Sequence, residues 1–378
     1  MKKLLSVSLL VLLAACGGKE IQNQQKANIL ENLQISVDSL IVDAAGEIFV
    51  PDMLYAQAQS SDGKRIFSFY EPDFQFFEIS LKEMKLLNRH SFEREGPNGV
   101  KGWVAEFQML PADEIMLVDE VGPNLFLLDG VKTMEYTLDL ESILSFKAEG
   151  PFSIRNDFRI SPDKSKFLSL PMNFGKPVEG LARIHIEKET GEILKLPALD
   201  LTYNFQVIFQ QENSASFFGD NIGLQLVNDH FIIFSGSTAD IYTYDYRLDS
   251  LKLISFKHLL VENNKSGEFA HEADSRNKQM EIVEQIKKQI TFEKFYWDPL
   301  RKMYFRFGTK NFVTPSKDVK RSADCYLFAY NENLNLVGEK FLDEFQNIPY
   351  TGYFYNGAFY SYTPIGDEAG FAVFTFDF

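Results

Sequence analysis

Cysteine, histidine and basic side chains are all scarce in this chain. Its 378 residues include two cysteines and five histidines, and 38 basic residues stand against 53 acidic ones. The formal charge of −15 repels phosphate backbones, so we expect no nucleic-acid partner. The histidines form no HExxH motif, and neither a G-x-S-x-G motif nor a phosphate-binding Gly-rich loop occurs. The sequence therefore predicts no metal, no cofactor and no catalytic residue.

The N-terminus carries the most specific motif. Lys2 and Lys3 precede the apolar run Leu4–Leu13, which is too short to span a bilayer, and Leu13-Ala14-Ala15-Cys16 forms a lipobox. We predict a signal peptide over 1–15 and a lipidated Cys16 whose acyl chains anchor the protein in a membrane. A plain secretory signal with an incidental thiol and an uncleaved anchor are the alternatives.

The segment after the lipobox predicts where the protein resides. Residues 16–34 are polar and rich in Gln and Asn, which is typical of a flexible tether. Gly17 is not the aspartate that typically retains lipoproteins in the inner membrane. Resemblance to sorted lipoproteins therefore favours the outer membrane, facing either the periplasm or the surface. The other cysteine, Cys325, follows the alternation of a strand and is expected to be a buried thiol.

Aromatic residues and turns indicate the fold class. The chain has 36 Phe and 16 Tyr, mostly in short alternating runs that suit packed sheets. A tight turn between two such runs recurs six times, at intervals of 50 to 69 residues by subtraction of positions, on Asp62, Asp113, Asp163, Asp229, Asp298 and Asn356. We predict an all-β fold, a six-bladed β-propeller of four-stranded antiparallel blades over 35–378. A two-domain β-sandwich is the structural alternative.

Two further features complete the predicted architecture. The last repeat lacks a fourth strand, and residues 35–42 alternate as a strand that could close the ring. Residues 261–290 interrupt the period between blades four and five. Their second half, 272–290, places Met280, Ile282 or Val283, Ile286 and Ile290 at helical spacing. We expect a surface helix there, either packed over one propeller face or acting as a cap or docking element.

Several stretches resemble a known family. The turn Glu95-Gly96-Pro97-Asn98-Gly99 with the following 103–119 resembles a blade junction of NHL-like propellers. The aromatic stretch Phe295–Arg306, the lipobox and the aromatic C-terminus are similar to the Gram-negative lipoproteins of the family named domain of unknown function 4221. This resemblance implies a propeller lipoprotein and supplies no known catalytic residues.

Candidate binding residues follow from the predicted innermost strands, because propeller ligand sites generally lie at one mouth of the central channel. Charged or aromatic residues expected there are Trp103, Glu106, Arg155, Asp157, Tyr296 and Tyr350, and the same strands also carry Gln225, Glu293 and Tyr353. The opposite charges of Arg155 and Asp157 must either reach channel water or pair internally. Arg301 and Arg306 are expected to hold blade five together through carboxylates or carbonyls.

Three classes of function remain open from the sequence. A monomeric, non-catalytic module that binds an envelope protein, peptide or glycan is favoured. The alternative is a metal-dependent hydrolase or lyase with its site at the channel mouth, which would need converging Asp, Glu, Asn or His side chains. The third is a structural envelope component that only mediates assembly.

Overall fold

The computed structural model describes residues 28–54, 56–150, 153–212, 214–315, 319–349 and 351–378. The predicted signal peptide, Cys16 and most of the predicted tether lie outside those ranges. Within them, no helix is both long and apolar enough to cross a membrane.

The described strands form six four-stranded antiparallel sheets and one separate hairpin, which confirms the predicted six-bladed propeller. The first strand, β1 (Gln34–Ile41), belongs to the last blade. Blade one contains β2 (Ala56–Gln59), β3 (Arg65–Tyr70), β4 (Gln75–Ser80) and β5 (Lys85–Ser91). Blade two contains β6 (Glu106–Met109), β7 (Glu114–Val118), β8 (Pro123–Leu127) and β9 (Lys132–Glu135). Blade three contains β10 (Arg159–Ile160), β11 (Lys166–Ser169), β12 (Leu181–His185) and β13 (Thr190–Leu194).

The second half of the ring follows the separate hairpin of β14 (Gln206–Gln211) and β15 (Ser214–Gly219). Blade four contains β16 (Ile222–Val227), β17 (His230–Ser235), β18 (Ile241–Asp245) and β19 (Ser250–Ile254). Blade five contains β20 (Thr291–Asp298), β21 (Met303–Val313), β22 (Ser322–Asn331) and β23 (Leu336–Phe341). Blade six contains β24 (Gly352–Tyr355), β25 (Ala358–Ile365) and β26 (Glu368–Asp377) together with β1.

Helices are few in the described ranges. The α-helices are α1 (Leu140–Leu144) and α2 (Arg276–Lys287), and 3-10 turns cover Pro51–Leu54, Glu71–Asp73, Pro111–Asp113 and Pro197–Phe205.

Each of the six predicted turns joins the first and second strands of a blade. Three of them rest on side-chain acceptors: Asp62, Asp163 and Asp298 each accept a hydrogen bond from the backbone amide two residues on, at 3.1, 3.1 and 2.9 Å. The other three rest on backbone conformation, because Asp113, Asp229 and Asn356 have φ of 59°, 61° and 49°. Both are the properties for which Asp and Asn are favoured in turns.

The core is divided among the interfaces between neighbouring blades. Each of the six interfaces has its own cluster of buried apolar residues. Phenylalanine dominates several of these clusters; at the interface of blades five and six, the ring of Phe305 stacks on that of Phe354 with centroids 5.1 Å apart. The many Phe residues therefore fill the wedge between sheets, where large flat side chains bury the most area.

The predicted ring closure is confirmed. The register of β1 and β26 runs antiparallel from Gln34↔Asp377 to Ile41↔Gly370, so strands from the two ends of the described chain complete one blade. The outermost strand β1 therefore covers the edge that β26 would otherwise expose.

The insertion before blade five contains the expected helix, but with different limits and a different buried face. The helix α2 begins after the N-cap Ser275, whose Oγ accepts from the Lys278 amide. Its buried residues are Gln279, Ile282 and Ile286, whereas Met280 is 52% exposed, so the choice of Met280 was wrong. The reason is that α2 packs on the unpredicted hairpin β14–β15, where Gln279 Nε2 donates to the Ser216 carbonyl at 2.8 Å.

The segment just before β1 lies on the propeller rather than free of it. The Asn28 side chain forms two hydrogen bonds with the backbone of Glu339, at 2.8 and 3.0 Å, and the Ile29 amide donates to Val337 at 3.1 Å. Leu30 and Leu33 are buried in the cluster between blades five and six. The ordered chain therefore includes Asn28–Leu33, which the sequence had assigned to the tether, and it covers the outer edge of β23.

Candidate functional site

The innermost strands of the six blades are β2, β6, β10, β16, β20 and β24, and they surround the central channel. Because every blade is an antiparallel sheet that starts with its innermost strand, all six strands begin at the same face of the ring, which we call the upper face. Both the β14–β15 hairpin and α2 precede an innermost strand and therefore also lie at the upper face.

Side-chain amides tie the innermost strands to one another. Gln108 of blade two donates to and accepts from the backbone of Ile160 in blade three, at 2.9 and 3.0 Å. Gln225 of blade four makes the same pair of bonds to Phe295 in blade five, at 2.9 and 3.0 Å. Innermost strands of neighbouring blades diverge and form no ladder with each other, and these side-chain bonds satisfy backbone groups that would otherwise lack a partner.

Charged residues from three blades converge at the upper end of this channel. Arg159, the first residue of β10, donates to Glu106, the first residue of β6, at 2.6 Å. Its other terminal nitrogen lies 3.8 Å from Asp157, whose second oxygen accepts from the Leu224 amide of blade four at 3.1 Å. The side chains of Glu106, Asp157 and Arg159 are 26, 24 and 19% exposed, so water reaches each of them.

Blade five adds two more charges through a β-bulge. The pairing of β20 with β21 shifts register between Phe292 and Phe295, which leaves Glu293 and Lys294 without partners in the ladder. A bulge bends a strand and redirects its side chains, and bulges are frequent beside functional sites. Besides burial, the charges of Glu293, Arg159 and Asp157 shift the pKa of Lys294, so it belongs to the same cluster.

Burial shifts the titration of these groups toward their neutral forms. It raises the pKa of Asp157 to about 6, with Arg159 acting in the opposite direction and Glu106 in the same one. Burial also raises the pKa of Glu293 and lowers that of Lys294. A water-accessible group of charges with perturbed pKa values is a typical feature of binding and catalytic sites.

The structure separates the two residues on which the sequence analysis placed most weight. Arg155 and Asp157 were expected on an innermost strand, but that strand begins at Arg159 and both precede it, so this placement was wrong. Asp157, with φ of 51°, turns its carboxylate into the channel. The Arg155 guanidinium instead donates to the carbonyls of Asp119, Glu120 and Val121 in blade two. It lines a surface groove of about 520 Å³ together with Glu120 and the region of α1.

The remaining predicted site residues do not all lie in the channel. Glu106 belongs to the channel cluster, as described above. Trp103 lies before β6 and is half-buried. Tyr296 is buried between blades five and six, where its ring packs against Phe359 at 4.8 Å. Tyr350 and Cys16 lie outside the described residues.

Two cluster members, Arg159 and Lys294, were missed by the sequence analysis. Two polar residues in succession break the alternation of the strand in Phe292-Glu293-Lys294-Phe295. Such a break is the sequence signature of a bulge and could have identified Lys294. Arg159 stands between Phe158 and Ile160 in an alternating run, which could have set the start of β10 correctly.

Other polar residues confirm structural predictions. Arg301 bonds Asp298 and the blade-six carbonyls of Gly357 and Phe376 at 2.5 to 2.6 Å. Cys325 is fully buried in β22, and burial raises its pKa to about 11.

In the described ranges no group of three His, Cys, Asp or Glu side chains is arranged to hold a metal ion. The metal-dependent hydrolase or lyase stays a prediction.

Comparison with protein families confirms the resemblance seen in the sequence. The model of the family described as domain of unknown function (DUF4221) matches residues 26–341. A crystal structure of a member of that family from Bacteroides vulgatus superposes with a TM-score of 0.61 at 12% identity, covering 91% of this chain and 98% of that one. A proposed exported protein from Bacteroides fragilis superposes with a TM-score of 0.50 at 9% identity, covering 93% and 97%. Comparison with the curated proteins found no match.

Proposed function

The chain belongs to the DUF4221 family, and we propose that it is a lipid-anchored protein of the cell envelope that binds a small ligand in the upper end of its propeller channel without transforming it. The observation that carries the binding function is the convergence of Glu106, Asp157, Arg159 and Lys294 from three blades. Burying such charges costs free energy, and groups of ionisable side chains with perturbed pKa values cluster at functional sites.

The mixed signs of the cluster support binding over metal chemistry. A divalent cation needs several oxygen ligands without neighbouring cations. Here Arg159 already forms an ion pair with Glu106 at 2.6 Å and lies 3.8 Å from Asp157. Lys294 adds a second positive charge. The site therefore matches an organic molecule with polar groups better than a metal ion.

The lipobox supports the envelope location, and so does the similarity to the Bacteroides fragilis protein, which is described as exported. Gly17 after the lipobox favours the outer membrane. The segment Asn28–Leu33 docks on the outer rim of blade five, so a tether that starts at Cys16 would hold the propeller by its rim. Both mouths of the channel would then stay open to the surrounding compartment.

Retention of small molecules tests the binding function. We would incubate the purified protein with a small-molecule extract of cell envelopes and identify retained compounds by native mass spectrometry. The double variant Arg159→Met/Glu106→Gln removes an ion pair as a unit, and should lose retention by about tenfold or more, the scale of one charge-assisted hydrogen bond.

The matched control is Lys278→Ala/Glu281→Ala, which removes an exposed pair of 3.1 Å on α2 and should retain everything. Thermal unfolding of each variant checks that the fold is intact. Equal retention by the wild type and the folded channel variant would refute the channel as the binding site.

The anchor is tested separately. Cys16→Ser should abolish labelling with an alkyne fatty acid and leave unprocessed precursor in the cell. Labelling that persists in this variant would contradict lipidation at Cys16, and it would leave the channel experiment unaffected.

A further inference from the structure

The ammonium of Lys294 is the least satisfied charge of the channel. Its neighbours in sequence, Phe292 and Phe295, pair with β21, while the bulge releases Lys294 from the ladder. The ring centroid of Tyr296 lies 5.5 Å from Nζ. No residue of the described ranges forms an ion pair or a hydrogen bond with Nζ, although burial already disfavours its charge.

The carboxylates near Lys294 attract its charge, but none of those in the described residues forms an ion pair with Nζ. Glu106 is bonded to Arg159 at 2.6 Å. Asp157 accepts from the Leu224 amide at 3.1 Å and faces Arg159 at 3.8 Å. Glu293 is the neighbour whose charge favours the Lys294 ammonium most, but its carboxylate forms no ion pair with Nζ. A half-buried cation without a direct ion pair is costly, and a bound anion would offset that cost.

We infer that Lys294 Nζ binds the carboxylate of a small monoanionic organic acid in the channel. This inference rests on the proposed binding function and adds the chemical class of the ligand. The single charge follows from the surroundings, because Glu106, Asp157 and Glu293 repel any second negative charge on the ligand. The ammonium is a compact donor that can turn toward a carboxylate without a fixed bidentate geometry.

Titration calorimetry with simple probes tests this inference on the full folded chain. At neutral pH and low chloride, acetate should bind saturably, whereas succinate, inorganic phosphate and ethylammonium should bind at least about tenfold more weakly. Lys294→Met should weaken acetate binding by about tenfold or more, and Lys294→Arg should retain most of it because the positive charge remains.

Lys252→Met serves as the matched control, since Lys252 is exposed on the outer strand β19 and should leave acetate binding unchanged. Lack of saturable acetate binding, unchanged binding by a folded Lys294→Met, or a preference for ethylammonium would each overturn the inference. The retention experiment with Arg159→Met/Glu106→Gln would still judge the channel as a binding site, so the two failures are distinguishable.

The pH dependence gives a second readout. The groups facing Asp157 are Arg159, Glu106, Lys294 and the Leu224 amide. Because the pKa of Asp157 is raised to about 6, lowering the pH from about 7 to about 5.5 protonates it and removes one negative charge beside the anion. Acetate stays ionised over this range, so its affinity should rise as the pH falls. Asp157→Asn should reduce this rise and leave the part that comes from Glu293, whose pKa burial also raises; a fall in affinity instead would contradict the assigned geometry.

Discussion

The interface of blades four and five and the channel beside it both bury charge, but they differ in how completely each charge is paired. At the interface, Arg306 is fully buried and donates to the carbonyls of Glu293, Ala239 and Ser235 at 2.7, 2.8 and 3.0 Å. Its guanidinium also lies 4.8 Å from the ring centroids of Phe292 and Phe295. In the channel, by contrast, no residue of the described ranges forms an ion pair or a hydrogen bond with Lys294 Nζ, and the Tyr296 ring centroid lies 5.5 Å from it.

A second buried cation, Lys265 in the insertion before blade five, is paired as fully. Lys265 lies 2.7 and 2.8 Å from the two oxygens of Asp220, and Ser237 Oγ donates to the same carboxylate at 2.5 Å. These side chains are 1 and 4% exposed. A buried charge whose hydrogen-bond and ion-pair partners all come from the protein holds the fold together. A charge that lacks such partners is available to a ligand. The predictions below test that distinction.

The largest effect is expected at Arg306. Arg306→Met leaves three buried carbonyls without a donor, so it should lower the free energy of unfolding by about 3 to 5 kcal/mol. Urea denaturation measures this loss. A loss below about 1 kcal/mol in the free energy of unfolding would show that the fully paired Arg306 does not stabilise the fold, which contradicts the distinction between the interface and the channel.

Lys265→Met comes next, because it strands the Asp220 carboxylate with Ser237 as its remaining hydrogen-bond donor. We expect a loss of about 3 kcal/mol in the free energy of unfolding. The double variant Lys265→Met/Asp220→Leu removes both charges and should recover part of that loss. If the double variant is less stable than Lys265→Met alone, the pair does not behave as a unit.

Asp157→Asn should have a smaller effect of opposite sign. The pKa of Asp157 rises from 3.8 to about 6 on folding, so its charged form destabilises the native state above that pH. The variant should be more stable than the wild type by about 1 to 2 kcal/mol at pH 8, and the difference should vanish as the pH falls from about 6 to about 4. Denaturation at several pH values checks this, and a gap that persists at pH 4 would contradict it.

The smallest effect is expected at Arg155. Its three carbonyl acceptors lie in a surface loop of blade two, where water can replace a lost donor. Arg155→Gln should cost about 1 kcal/mol or less and leave channel binding intact. Impaired acetate binding in this variant would extend the binding site to the 520 Å³ groove.

The elements that the sequence predicted depend on local rules. The turn aspartates act within two residues of themselves, and the alternation of residues 35–42 marks a strand wherever its partner lies. The β14–β15 hairpin was missed because its short apolar runs, Val207–Phe209 and Phe217-Phe218, look like those of a blade strand. Whether such a hairpin joins a blade or packs on α2 depends on contacts with residues far along the chain.

The candidate site was harder to predict for the same reason. Glu106 and Asp157 were identified as charged residues near innermost strands, but their ion-pair partner Arg159 and the redirected Lys294 depend on where strands begin and bulge. A shift of one residue changes the side of the strand that a residue occupies. Arg155 shows the consequence, because its side chain points to blade two and not into the channel.

The pairing of β1 with β26 also governs when the molecule can finish folding. A ribosome releases Gln34 before the first five blades and Asp377 after them, yet these two residues are partners in one blade. Five blades can assemble from neighbouring segments during synthesis, while β1 must wait until β26 appears. Closure of the ring therefore follows the synthesis of all the blades, and a chain interrupted before β26 would leave β1 without its partner strand and blade six incomplete.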